Sequence, residues 1–141
     1  MFYRGDERSG LSSIRRQGPT GLRSSHAPSG VNMLSDRGQF VYSHASAEGG
    51  HRPSITVMMK SVAQSYGKKT VGVLLTGMGR DGAEGMQAIA RAGGFTIAQD
   101  EETCVVFGMP KEAIALDAVQ KILPISAIAP LRSRLIVNSS E

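Results

Sequence analysis

Apolar positions in the middle of the chain alternate between two spacings, that of a buried strand and that of a helix. Val71-Gly72-Val73-Leu74-Leu75 is a short unbroken apolar run rich in β-formers and predicts a buried parallel strand. Beyond a glycine-rich turn, Met86, Ile89, Ala90 and Gly93 fall at i, i+3, i+4 and i+7, one face of a helix. Gly93-Gly94 ends that helix and Phe95-Thr96-Ile97-Ala98 predicts the next strand, giving a right-handed βαβ unit. Upstream, Ile55, Met58, Met59, Val62, Ala63 and Tyr66 share a helical face over Pro53 to Tyr66, with Pro53 and Ser54 in the first turn and Gly67 as the stop. The Met58-Met59 pair is expected to face the sheet. Gln39 to Tyr42 predicts a short strand of a hairpin or edge, and Ser46 to Pro53 a loop.

Downstream, the spacing predicts a buried strand over Thr103 to Phe107, a turn at Gly108-Met109-Pro110 and a short helix over Lys111 to Leu116. A final strand is expected over Val119 to Leu123. Ser126 is expected to cap a last helix with Ile128, Leu131 and Leu135 on its apolar face, in which Pro130 belongs only in a first turn. Together these elements predict an α/β fold, a doubly wound, mostly parallel, Rossmann-like sheet.

The chemistry converges on the turn Thr76-Gly77-Met78-Gly79-Arg80-Asp81-Gly82, at the carboxyl end of the first strand, where open α/β sheets place their sites. Gly77, Gly79 and Gly82 spell G-x-G-x-x-G, and Asp100, Glu101 and Glu102 follow the second strand where a ribose-binding acid would stand. That spacing suits a nucleotide-binding βαβ domain. Against it, Asp81 puts a carboxylate where a pyrophosphate would sit, and two such charges a few Å apart repel. A carboxylate at a helix start is favourable by itself, so Asp81 also reads as a cap for the helix that follows.

Composition narrows the classes. The chain has 141 residues with 40% hydrophobic content, which fits one modest domain. No apolar run has the length of a membrane span and the start lacks the apolar core of a signal peptide, so a cytoplasmic location and no membrane insertion are expected. The single cysteine, Cys104, reads as a buried packing residue, and the three histidines show no metal-ligand spacing with it. No metal and no cofactor are expected. Residues 1–25 carry Arg4, Arg8, Arg15, Arg16 and Arg23 among serines and glycines, which reads as a basic disordered segment supplying much of the +4 net charge. It lacks the aromatic interleaving or basic helix of a nucleic-acid arm. The domain proper is expected over residues 26–136, with 137–141 a frayed tail.

The run Val73 to Ala83, then Gly93 to Glu101, then Cys104-Val105-Val106-Phe107-Gly108-Met109-Pro110, with His51-Arg52-Pro53-Ser54 upstream, resembles the catalytic domain of the bacterial chemotaxis protein-glutamate methylesterases. The similarity covers about residues 27 to 131, the C-terminal part of that domain, and Asn32 stands where the family usually has a histidine. The resemblance implies hydrolysis of γ-glutamyl methyl esters on methylated chemoreceptors, with release of methanol. It makes Asp81 the third member of a Ser-His-Asp triad, holding the catalytic imidazole, and places His51 and Met78 near the site. The family's Gly-x-Ser-Thr-Gly-Gly and Gln-His-Met-Pro turns, which carry the nucleophile and base, do not occur in this sequence. None of Ser12, Ser13, His26, His44 and His51 takes their place. The expectation is therefore an N-terminally truncated or frame-shifted domain, inactive by itself. It is also expected to be marginally stable and to self-associate through an exposed sheet edge. A non-catalytic receptor-docking module is the alternative, and the nucleotide-binding domain the third reading.

Overall fold

The computed structural model describes residues 2–6, 11–15, 30–36, 39–44 and 50–138. The elements in chain order are β1 Phe2–Asp6, β2 Leu11–Arg15, β3 Asn32–Asp36, β4 Gln39–Ser43, α1 Ile55–Tyr66, β5 Val71–Leu74, α2 Ala83–Arg91, β6 Phe95–Gln99, α3 Met109–Ala115, β7 Lys121–Leu123 and α4 Ile125–Asn138. The fold is α/β, with a parallel sheet in the order β5-β6-β7 and a separate antiparallel sheet in the order β1-β2-β4-β3.

The parallel sheet positions the site. Val71 pairs with Phe95 and Leu74 with Ala98, so β5 and β6 run in register with α2 as the crossover between them. The predicted βαβ unit is present. Leu74, Met86, Ile89 and Ile97 are almost wholly removed from water, as a parallel sheet covered by helices requires. Helix α1 packs against α2 and adds Met59 and Ala63 to the same core, with Ile55 and Met58 against its edge. The closeness of the two helices needs a missing side chain at their crossing. A Cβ on Gly85 would lie 2.6 Å from Met59 Cβ and 3.2 Å from Thr56 Cα. Tyr66, at the end of the apolar face of α1, is exposed.

Several expectations are corrected. Thr103–Phe107 is not a buried strand. Its backbone turns after β6, Val105 is 90% exposed, and the segment makes only an isolated bridge between Phe107 and Gly77. Side chains supersede the ladder there: Gln99 Nε2 donates to the Thr103 carbonyl at 2.7 Å, and the Thr103 amide donates to Asp100 Oδ1 at 2.9 Å. Cys104 is accordingly half-buried, not a core residue. Ser126 does not cap the last helix, because α4 already starts at Ile125. Pro130 lies inside α4, beyond a first turn, where it removes one backbone donor. Ile128 is buried nonetheless, and Leu131 and Leu135 are half-buried.

Where composition led to an expectation of disorder, the backbone of β1 pairs with β2, and β2 with β4, both antiparallel. Such a ladder uses main-chain groups that every residue but proline supplies. The rest of residues 1–29, including His26, lies outside the described residues, as do 45–49 in the expected loop and 139–141 in the expected tail. Among the described residues no helix is long and apolar enough to cross a membrane, and no cluster of metal-ligating side chains occurs.

Candidate functional site

The turn after β5 is built by close backbone contacts. The Gly77 amide donates to the Val106 carbonyl at 3.0 Å, and the Gly77 carbonyl accepts from the Met109 amide at 2.9 Å. A side chain on Gly77 would meet the end of the Met109 side chain, which would have to move to make room for it. Thr76 joins the neighbouring loops: its amide donates to Gln99 Oε1 at 2.8 Å and its hydroxyl to the Val106 carbonyl at 3.1 Å. Gln99, almost wholly buried, thereby ties the carboxyl ends of β5 and β6 together. Gly82 then enters α2 with φ at +89°, a left-handed backbone that a side chain rarely adopts.

Asp81 is fixed by another element altogether. Its Oδ2 accepts the Ile55 amide at 2.9 Å, and its Oδ1 accepts the Thr56 amide at 3.0 Å and the Ser54 hydroxyl at 3.2 Å. The carboxylate therefore caps the N-terminus of α1, and the expectation that it caps the following helix is corrected. Helix α2 has Gly82 at its cap position and no side-chain cap; its Gly82 amide instead donates to Thr56 Oγ1 at 2.8 Å. A handover of this kind works because α1 presents unpaired amides at its positive end, which favour a negative charge. Ser54, the residue before α1, also accepts the Val57 amide at 3.3 Å, and its own amide donates to Asn32 Oδ1 on β3 at 2.9 Å. Asn32, Ser54 and Thr56 are all buried.

These bonds favour the charged form. Partial burial of Asp81 raises its pKa, but the amides of Ile55 and Thr56 and the hydroxyls of Thr56 and Ser54 outweigh it. The carboxyl is held below its ordinary value of 3.8. It is thus ionised at neutral pH and locked in one orientation.

Asp81 faces a cavity of about 320 Å³, whose walls include His51, Thr56, Arg80, Glu84, Glu112 and Leu116. The site residues expected from the sequence divide here. His51 shares the cavity with Asp81, whereas Met78 is 84% exposed on the outside of the turn and is not among its walls. Thr56, Asn32 and Gln99 are contributors that sequence reasoning missed. Thr56 left a signal, a polar residue two positions past a serine at a helix start, and Asn32 had stood out only as a departure from the family pattern.

The geometry does not suit a dinucleotide. The Gly82 amide is already committed to Thr56, and the Ala83 amide to the Arg80 carbonyl at 3.2 Å. Asp100, the candidate ribose ligand, accepts both the amide and the hydroxyl of Thr103 at 2.9 and 2.6 Å.

What the fold and site define is an α/β domain whose parallel strands deliver a rigid, ionised carboxylate to a cavity at their carboxyl ends. Within that class, the chain belongs to the CheB methylesterase family, whose profile matches residues 23–131. A protein-glutamate methylesterase/protein-glutamine glutaminase of Bordetella avium is 56% identical over 79 residues, covering 56% of this chain and 22% of that protein. One from Rhodospirillum rubrum is 49% identical over 108 residues, covering 73% of this chain and 30% of that protein. The crystal structure of the Thermotoga maritima CheB methylesterase catalytic domain superposes with a TM-score of 0.66 at 35% identity, covering 75% of this chain and 56% of that one. The chain therefore spans less than a third of these curated relatives and somewhat over half of the solved domain.

Proposed function

We propose that this chain is the acid-bearing part of a protein-glutamate methylesterase that hydrolyses γ-glutamyl methyl esters on methylated chemoreceptors and releases methanol. The observation that carries the reading is Asp81: ionised, clamped by three hydrogen bonds and turned to a cavity at the carboxyl end of β5. A triad acid needs both properties, since it selects the tautomer of a histidine and stabilises the imidazolium formed when that histidine takes a proton. Ester hydrolysis further needs a nucleophile, a base and oxyanion donors. The family's serine and histidine turns do not occur in this sequence. Alone, the chain is accordingly inactive. His51 is proposed as a wall of the substrate cavity and Met78 as a surface contact beside it, neither of them as the base. The outer edge of β5, which pairs only with β6 among the described residues, is the proposed route of self-association.

The test is a chimera in which residues 31–131 replace the matching segment of the Thermotoga maritima catalytic domain, assayed for methanol from a methylated chemoreceptor. Release is expected from the chimera and not from the present chain. Asp81→Asn should lower it by about 10⁴, the usual loss when a triad acid is replaced. A folded chimera whose rate is unaffected by Asp81→Asn would overturn the assignment.

A further inference from the structure

A second hollow of about 310 Å³ continues from the Asp81 cavity, sharing Arg80, Glu84 and Leu116 with it. Its floor is the outer face of α2, where Glu84, Gln87, Ala88 and Arg91 fall at i, i+3, i+4 and i+7. The seven helical steps from Glu84 to Arg91 make this face roughly 10 Å long. Lys60 of α1 forms one wall.

The charges facing it come from three places: Lys60 on α1, Arg80 in the turn, and Glu84 and Arg91 on α2. Lys60 Nζ lies 3.2 Å from Glu84 Oε2, so these two largely cancel. Arg80 and Arg91 have no ion pair among the described residues, and both are exposed. The groove thus offers two guanidinium groups outside any ion pair among the described residues, Arg80 at the mouth of the cavity that also holds Asp81, Glu84 and Glu112, and Arg91 at the far end of the α2 face. Guanidinium is suited to bidentate recognition of carboxylates.

From this we infer that the groove is a subsite for an acidic peptide segment. Arg80 and Arg91 bind glutamate carboxylates flanking the side chain presented to the Asp81 cavity. The inference rests on the proposed methylesterase reading for the identity of the occupant: a substrate esterified on one glutamate carries its unesterified neighbours as anions.

The test is fluorescence anisotropy with the present chain and a labelled helical peptide carrying glutamate at every third or fourth position, beside its glutamine counterpart. The glutamate peptide should bind more tightly, and more weakly as salt rises. Arg91→Ala should weaken binding on the order of threefold and Arg80→Ala/Arg91→Ala about tenfold, as expected of partly exposed ion pairs. Arg91→Lys should restore only part of the loss, because the ammonium keeps the charge without the bidentate geometry. Equal affinity for the two peptides, or no effect of Arg91→Glu in a variant with unchanged circular dichroism, would overturn the proposal. So would preferential binding of a labelled duplex DNA, which would make the groove a phosphate site. Because the readout is binding, failure of the chimera to hydrolyse ester would sink the catalytic reading and leave the peptide subsite standing.

Discussion

Replacing Asp81 should cost stability as well as activity, and the size of the loss follows from what the carboxylate holds. In Asp81→Ala the amides of Ile55 and Thr56 lose their acceptor, in a half-buried and a buried residue respectively, and the Ser54 hydroxyl loses a partner. A buried donor left unsatisfied costs about 1–3 kcal/mol, and loss of a helix cap about 0.5–2 kcal/mol. These overlap, since the amides are the capped groups, so a total of about 3 kcal/mol is expected. That is a large part of the roughly 5–15 kcal/mol typical of a whole domain. Asp81→Asn keeps one oxygen but turns an NH₂ toward the donors, and should cost about half as much. Ser54→Ala, which removes the 3.2 Å bond to Asp81 and the long bond from Val57, should cost about 1 kcal/mol. Urea denaturation followed by circular dichroism reads all three variants. In thermal melts the alanine variant should lose about 12 °C, taking roughly 4 °C per kcal/mol for a domain of this size. An Asp81→Asn protein that unfolds at the same or higher urea concentration than its parent would refute the capping role. The acid would then be held for chemistry alone.

Two other outcomes follow from the same contacts. Because the folded state holds the Asp81 carboxyl below its ordinary 3.8, its contribution is fully present above that pH and disappears as pH falls through the folded value; urea midpoints from pH 6 to pH 2.5 should fall more steeply in the parent than in Asp81→Asn. Gly85→Ala places a methyl 2.6 Å from Met59 Cβ and against the α1 backbone, and should cost about 1–3 kcal/mol by urea titration, without changing the circular dichroism spectrum of the folded state.

Much of the architecture was legible because it repeats a period. The apolar runs of β5 and β6 and the helical spacing in α1 and α2 are local patterns with one way to be buried, and the glycines between them mark the turn. Asp81 stood out for the same local reason, as a carboxylate just before a helix at the end of a strand. The family resemblance supplied what periodicity could not, the expectation that it serves in a triad. What the sequence did not contain was the direction of that carboxylate. An acid beside a helix start favours whichever positive end is nearer, and only the packing of α1 across α2, made possible by Gly85 and Gly82, brought the amides of Ile55 and Thr56 closer than those of α2. The Thr103–Phe107 segment failed for a related reason. Its apolar residues have the composition of a strand, but Gln99 and Asp100 turn its backbone locally through side-chain hydrogen bonds to Thr103, and Thr76 of the preceding loop holds the Val106 carbonyl. Period and composition are properties of neighbours along the chain. The assignment of hydrogen-bond partners depends on distances between elements, which exist only once the fold is made.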